Sequence, residues 1–142
     1  MKIKVISSGR IKERLYKERI HEYIKWIKIH NPIDLIFMGD LRKLKYEKQP
    51  FSFIKDNDYL VCLSEEGIKK SSIEFSALFC NMHKDITFII GGPNGLNNKI
   101  KSRANLLLSL SDMTFLHEMA VLILIEQIYR GLSIRVGSKY HR

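Results

Sequence analysis

Two loops in this chain have the residue types and the placement to hold a small molecule. Gly91-Gly92-Pro93-Asn94-Gly95 and the stretch Ser109 to Thr114 each interrupt an apolar run, and each leads into a segment of helical pattern. Where a strand ends and a helix begins, backbone amides are left free to face a ligand. The first loop offers such amides with few side chains in the way; the alternative is a tight turn that simply needs flexible residues. The second, Ser109-Leu110-Ser111-Asp112-Met113-Thr114-Phe115, mixes hydroxyls, backbone groups and an apolar patch, which suits a ligand with an adenine ring and polar arms. Neither matches a familiar phosphate cradle: the GxGxxG spacing of a dinucleotide site is absent, and no Gly-Lys-Ser/Thr closes a P-loop. That argues against a nucleotide-binding dehydrogenase.

Other chemistries find fewer residues. No Ser-His-Asp or Cys-His arrangement is evident, and the glycine loop holds no nucleophile. Histidines 21, 30, 83, 117 and 141 lack the spacing of metal ligands, so no metal is expected. His117 opens an apolar helix, where an imidazole serves structure more often than chemistry. Glu126 lies just beyond that apolar run, with Arg130 one turn later as its natural partner. An ion pair there is expected over acid–base work.

The elements that must position these loops follow from periodicity. Lys2 to Ser7 alternates cation and aliphatic as a half-buried strand does. From Ile11 to about Ile29, Leu15, Ile20, Ile24 and Ile27 recur at helical spacing opposite a basic face, and Asn31-Pro32 ends the helix. Strands are predicted at Ile33–Met38, Asp58–Ser64, Asp85–Ile90 and Leu106–Leu110, with Asp58–Ser64 running into an acidic turn, Glu65-Glu66-Gly67. Ser71-Ser72 with Glu74 marks a helix start, with that helix reaching to about His83. Asn97 to Asn105 reads as a short basic helix and Leu116 to Gly131 as a longer one. Residues 39–57 have no sustained period and read as a basic surface loop with room for one short helix. This order predicts a single α/β domain over residues 1–142, its mostly parallel sheet covered by helices on both faces. Met119 through Ile125 is apolar around the whole circumference, which predicts burial on more than one side and hence a subunit interface.

The charge points to a partner. Lys and Arg number 24 against 15 acids, a net of +9, and such a bias favours a polyanion, nucleic acid first. The alternative is a Lys- and Ile-rich coding bias. No apolar run reaches a membrane span, the N-terminus lacks a signal-peptide core, and Cys62 and Cys80, set in apolar runs, are expected to be reduced core thiols. A cytoplasmic location follows.

Four segments in order, GGPNGL, LSLSDMTFLHEM, LIEQIYRGLSI and the terminal YHR, resemble the ribosomal RNA large subunit methyltransferase H family. The resemblance continues more loosely through MKIKVISSGRIKE, HEYIKWI and DYLVCLSEEGI. It implies a SPOUT-type α/β fold with a C-terminal trefoil knot, a homodimer, and S-adenosyl-L-methionine as methyl donor. The implied reaction is methylation of N3 of a pseudouridine in 23S ribosomal RNA, with the ribosome as the implied setting. Carried over position by position, the cofactor contacts fall on Leu63, Gly91, Leu110, Ser111, Asp112, Met113, Thr114 and Phe115. The substrate-side terminus falls on Tyr140, His141 and Arg142. On this reading His141 is the candidate base or proton acceptor, with Arg142 or Arg130 stabilising developing charge. The rival is a non-enzymatic, basic, ribosome-associated RNA-binding protein whose glycine loop is only a turn.

The sequence departs from the family's pattern in three places. Leu116 stands where a Pro commonly precedes the His, Val121 stands where an Arg is common, and residues 39–57 form a shorter segment than usual.

Overall fold

The computed structural model describes residues 1–39, 51–80, 83–92 and 95–142. Five strands form one sheet: β1 (Ile3–Ser8), β2 (Ile33–Met38), β3 (Tyr59–Lys69), β4 (Ile86–Ile90) and β5 (Leu106–Ser109), in the order β2-β1-β4-β3-β5. Every strand pairing in it is parallel, so all five C-terminal ends lie along one edge. Among the described residues four helices accompany them: α1 (Arg14–Lys28), α2 (Ser72–Ser76), α3 (Asn98–Arg103) and α4 (His117–Arg135). No helix among the described residues is long and apolar enough to cross a membrane.

Alternation along the strands divides the core in two. Val5, Val61 and Phe88 point to the face covered by α1, α2 and α4, where Ile20, Ile27, Phe75, Phe79, Leu124 and Ile128 meet them. Ile6, Leu60, Cys62 and Ile89 point to the other face, beneath Ile100 of α3 and Ile54. Helices therefore cover both faces, as the strands' nearly continuous apolar runs require.

Several boundaries differ from the sequence reading. β3 does not stop at Ser64: it passes through the acidic turn, and pairing with β5 shifts between Leu63 and Ile68, both opposite Leu108. The segment 64–67 is thus a bulge inside a strand, invisible to a period-two pattern that it interrupts. α1 begins three residues later than the pattern, with Glu13 as its N-cap, and Leu15 is 72% exposed instead of buried. α2 is one short helix capped by the Ser71 hydroxyl, and it passes into a 3-10 turn at Ala77–Phe79 before His83. Cys80 closes that turn on the surface, so only Cys62 is a core thiol, its pKa pushed up to about 12 by burial. α4 continues beyond Gly131 to Arg135, since burial of Gly131, Leu132 and Ser133 outweighs the cost of about 1 kcal/mol for a helical glycine. A 3-10 turn, Phe51–Phe53, precedes β3, and residues 40–50 of the expected basic loop lie outside the described residues.

Candidate active site

Along the C-terminal edge of the sheet lies a cavity of about 600 Å³. Its walls come from the ends of β3, β4 and β5 and from the first turn of α4. Leu63, Ile90, Leu108 and Phe115 make it apolar, while Glu65, Glu66, Ser111 and Thr114 bring polar groups to it. Gly91 is required by packing: a Cβ there would lie 2.5 Å from the backbone carbon and oxygen of Gly95. Gly95 itself holds φ +76, a conformation other residues adopt only with strain. The two ends of the glycine loop are thereby pinched together beside the cavity, through the Gly92–Gly95 bridge.

The second loop is held from both sides. Ser109 Oγ donates to Ser111 O at 3.0 Å, and Met113 N donates to Ser111 Oγ at 3.0 Å. Lys69 binds Asp112 at 2.5 Å, and Thr114 Oγ1 donates to Glu65 at 3.4 Å. Behind the loop, His117 Nε2 is 3.1 Å from Ser7 Oγ at the end of β1. The Ser7 hydroxyl lies within reach of Gly9 O as a donor, at 3.4 Å, which leaves its oxygen free to accept from the ring. His117 Nδ1 is buried without a hydrogen-bonding partner. The adjacent Glu118 accepts from the backbone N–H groups of Lys12 and Glu13, tying α4 to the start of α1. Those two N–H groups, Glu13's foremost, hold its carboxyl below the usual range.

Of the residues expected at the cofactor, the cavity brings together Leu63, Gly91, Leu110, Ser111, Met113, Thr114 and Phe115. Asp112 instead turns outward to Lys69, with its side chain 83% exposed. Glu65, Glu66, Lys101 and His117 also line the cavity. The first two were legible in the sequence as carboxylates following an apolar strand run, but a turn there gave no reason to place them on a ligand. Leu116 keeps φ −54 and ψ 141, within the range a proline ring imposes, so the departure at this position preserves the backbone course. Val121 is fully buried in the core.

The substrate-side residues form a second cluster, farther along α4. Gly137, at φ +72, turns the chain back after the helix. Tyr140 then packs edge-on against Tyr129 at 4.7 Å, with the Arg130 guanidinium 4.9 Å from the centre of its ring. Arg130 donates from Nε at 3.0 Å and from Nη2 at 2.6 Å to Glu126 Oε1, the expected ion pair. Tyr140 also donates to Glu126, at 3.0 Å, and the Tyr23 hydroxyl lies 3.1 Å from that of Tyr140. Burial first, then these hydrogen bonds, push the Tyr140 pKa upward. His141 Nδ1 lies 3.1 Å from Arg130 Nη1, while Arg142 is exposed. Within one chain Arg130 is ten residues beyond Ala120 of the cavity wall, roughly 15 Å along the helix.

S-adenosyl-L-methionine fits the cavity. Its volume lies within the range of about 300–1,000 Å³ usual for small-molecule sites. Apolar walls suit an adenine ring, two lining carboxylates, Glu65 and Glu66, stand against the one ammonium of Lys101, which suits a cationic ligand, and the lining residues Gly91, Gly92 and Gly95 bring no side chains into the space.

Comparison with known proteins agrees. The family described as "Predicted SPOUT methyltransferase" matches residues 1–141. Ribosomal RNA large subunit methyltransferase H of Caldicellulosiruptor bescii is 40% identical over 157 residues, covering 99% of each chain. The protein of the same name from Streptococcus suis is 40% identical over 159 residues, covering all of both. Among solved structures, a probable methylase family protein from Haemophilus influenzae aligns with 99% of this chain and 70% of its own, at TM-score 0.61 and 12% identity, a likeness of fold. With the cavity at the strand ends and the match over nearly its whole length, the chain belongs to the SPOUT methyltransferase family.

Proposed function

We propose that this protein transfers a methyl group from S-adenosyl-L-methionine to N3 of a pseudouridine in the 23S ribosomal RNA of the large subunit. The observation that carries this reading is the cavity at the C-terminal sheet edge, lined by Leu63, Gly91 and the 110–115 loop. Relatives of about 40% identity that carry the name of a large-subunit ribosomal RNA methyltransferase support the substrate class. The net charge of +9 suits an RNA partner, and the cytoplasm and the assembled ribosome belong to the same proposal.

When bound, S-adenosyl-L-methionine supplies an activated methyl group on a sulfonium centre. The protein's task is then alignment and exclusion of water. Leu63, Leu108 and Phe115 would enclose the adenine, the glycine loop and the 110–115 backbone would orient the polar arms, and Glu65 and Glu66 would favour the cation. Asp112 takes part through Lys69, as a brace of the loop's outer side. Held in line by these residues, the bound cofactor would supply the methyl group that N3 takes up as its proton passes to water.

Tyr140, His141, Arg142 and Arg130 are proposed to meet the RNA base. In a single chain Arg130 stands roughly 15 Å from the cavity wall along α4. A second copy packed on the half-buried Met119, Leu122 and Ile123 of α4 would bring one chain's tail to the other's cavity, so the working form is taken to be a homodimer. The C-terminal trefoil knot belongs to this reading too, with the 110–116 segment crossing the sheet edge to reach Ser7 at the end of β1.

Calorimetric titration with S-adenosyl-L-methionine, followed by methyl transfer to ribosomes, large subunits and naked RNA with mapping of the modified base, tests the proposal. Binding and a single methylated pseudouridine are expected. Absence of cofactor binding, with or without RNA, would leave a basic RNA-binding protein instead.

A further inference from the structure

An imidazole one residue from the chain's end invites the role of general base, but its surroundings assign it the opposite one. We infer that His141 meets the substrate base as a neutral N–H donor and does not accept its proton, an inference that rests on the proposed methyl transfer.

His141 Nδ1 is 3.1 Å from Arg130 Nη1. A guanidinium has five N–H donors and no acceptor, and it stays charged at any working pH. Nδ1 must therefore present its lone pair, which places the ring proton on Nε2. A second proton on Nδ1 would set N–H against N–H and forfeit the bond.

Arg130 cannot turn away without cost. Its Nε and Nη2 are bound to Glu126 Oε1, which raises the guanidinium's pKa further. Glu126 in turn is held by Arg130, by Tyr140 Oη at 3.0 Å and by Gln127 Nε2 at 2.7 Å. A hydroxyl has one proton to give. Tyr140 gives its proton to Glu126, so Tyr23 is the donor to Tyr140. Arg130 is thus a positioning residue that fixes the tautomer, and His141 Nε2–H is the group left to face a ligand.

The base that would use such a donor is one whose reacting nitrogen lies between two carbonyls. As N3 loses its proton to water, negative charge spreads onto the flanking oxygens. A donor aimed at one of them stabilises the anion whose pair then forms the N–C bond.

The test compares His141→Gln, which can donate an N–H but cannot serve as a base, with His141→Ala. Cofactor affinity is expected to be unchanged in both. H141Q should stay within about tenfold of wild-type kcat and share the shape of its pH profile, while H141A loses about 10²–10³-fold, the usual cost of one such donor. Long-range ¹H–¹⁵N NMR, with the signal assigned by its loss in H141Q, should show an unprotonated Nδ1 and a protonated Nε2. H141Q as weak as H141A, an acidic limb present in wild type and missing in H141Q, unchanged kcat in H141A, or the reverse tautomer overturns the inference. A wild-type chain that binds cofactor yet methylates no RNA overturns the proposed reaction and this role with it, whatever the tautomer.

Discussion

The two ends of the same parallel sheet are built on opposite terms. At the N-terminal edge, Lys4 Nζ is bound to Asp58 Oδ2 at 3.0 Å and to Phe53 O at 2.6 Å. Asp58 also accepts from Lys55 N at 2.9 Å and from Thr87 Oγ1 at 3.4 Å. The two charged side chains are only 9% and 3% exposed, and protein atoms supply two acceptors to the ammonium and three donors to the carboxylate. The C-terminal edge holds the cavity and, in His117 Nδ1, the one buried side-chain polar atom among the described residues without a partner. A buried ion pair offsets its desolvation only when further hydrogen bonds support it. The difference shows which end is closed by its own hydrogen bonds and which has kept groups open for something else to bind.

Breaking the closed end should give the largest effect. Asp58→Ala leaves the Lys4 ammonium buried and unpaired, which costs about 3–5 kcal/mol. Urea denaturation should show that loss, while the folded fraction binds S-adenosyl-L-methionine with wild-type affinity. A parallel loss of affinity would mean that the two ends are not independent. Gly91→Ala acts at the open end, where a Cβ 2.5 Å from the Gly95 backbone forces the loop to move. Overpacking of this kind costs about 1–3 kcal/mol, so calorimetry should read roughly a tenfold or greater drop in cofactor affinity. Wild-type affinity would show that the pinched loop does not shape the site. Smallest is Ser7→Ala, which removes the hydrogen-bonding partner of His117 Nε2 and is worth about 1 kcal/mol. Its signature is a several-fold rise in cofactor Kd with little change in the urea midpoint. A change in stability alone would place Ser7 among the merely structural residues.

Much of the scaffold and part of the site can be read along the chain. Strands and helices announce themselves by period, and the glycine loop and the 109–115 loop are visible as small and polar residues between apolar runs. The β3 bulge is not, because Glu65 and Glu66 look like a turn until the pairing of Ile68 and Lys69 with β5 shows that the strand resumes. Leu15 fits the apolar stripe of α1 and still faces outward, since periodicity fixes a helix face but not what lies opposite it. The tail is the clearest case: a terminal Tyr-His-Arg looks frayed, yet Gly137 turns it back onto Tyr129 and Arg130.

By itself the sequence determined which segments are strands and helices, that the sheet is covered on both faces, and that loops able to bind a ligand follow two of its strands. Those properties are local, set by side-chain periodicity and backbone preference within a few residues. Tertiary structure alone decided that Ser7 meets His117 across 110 positions of chain, and that Glu65 faces Thr114 across 49. It also decided that Arg130 Nη1 lies 3.1 Å from His141 Nδ1, eleven positions along the chain. Such contacts depend on strand order and on where helices pack, which arise from burial summed over the whole chain and leave no mark on the spacing of neighbours.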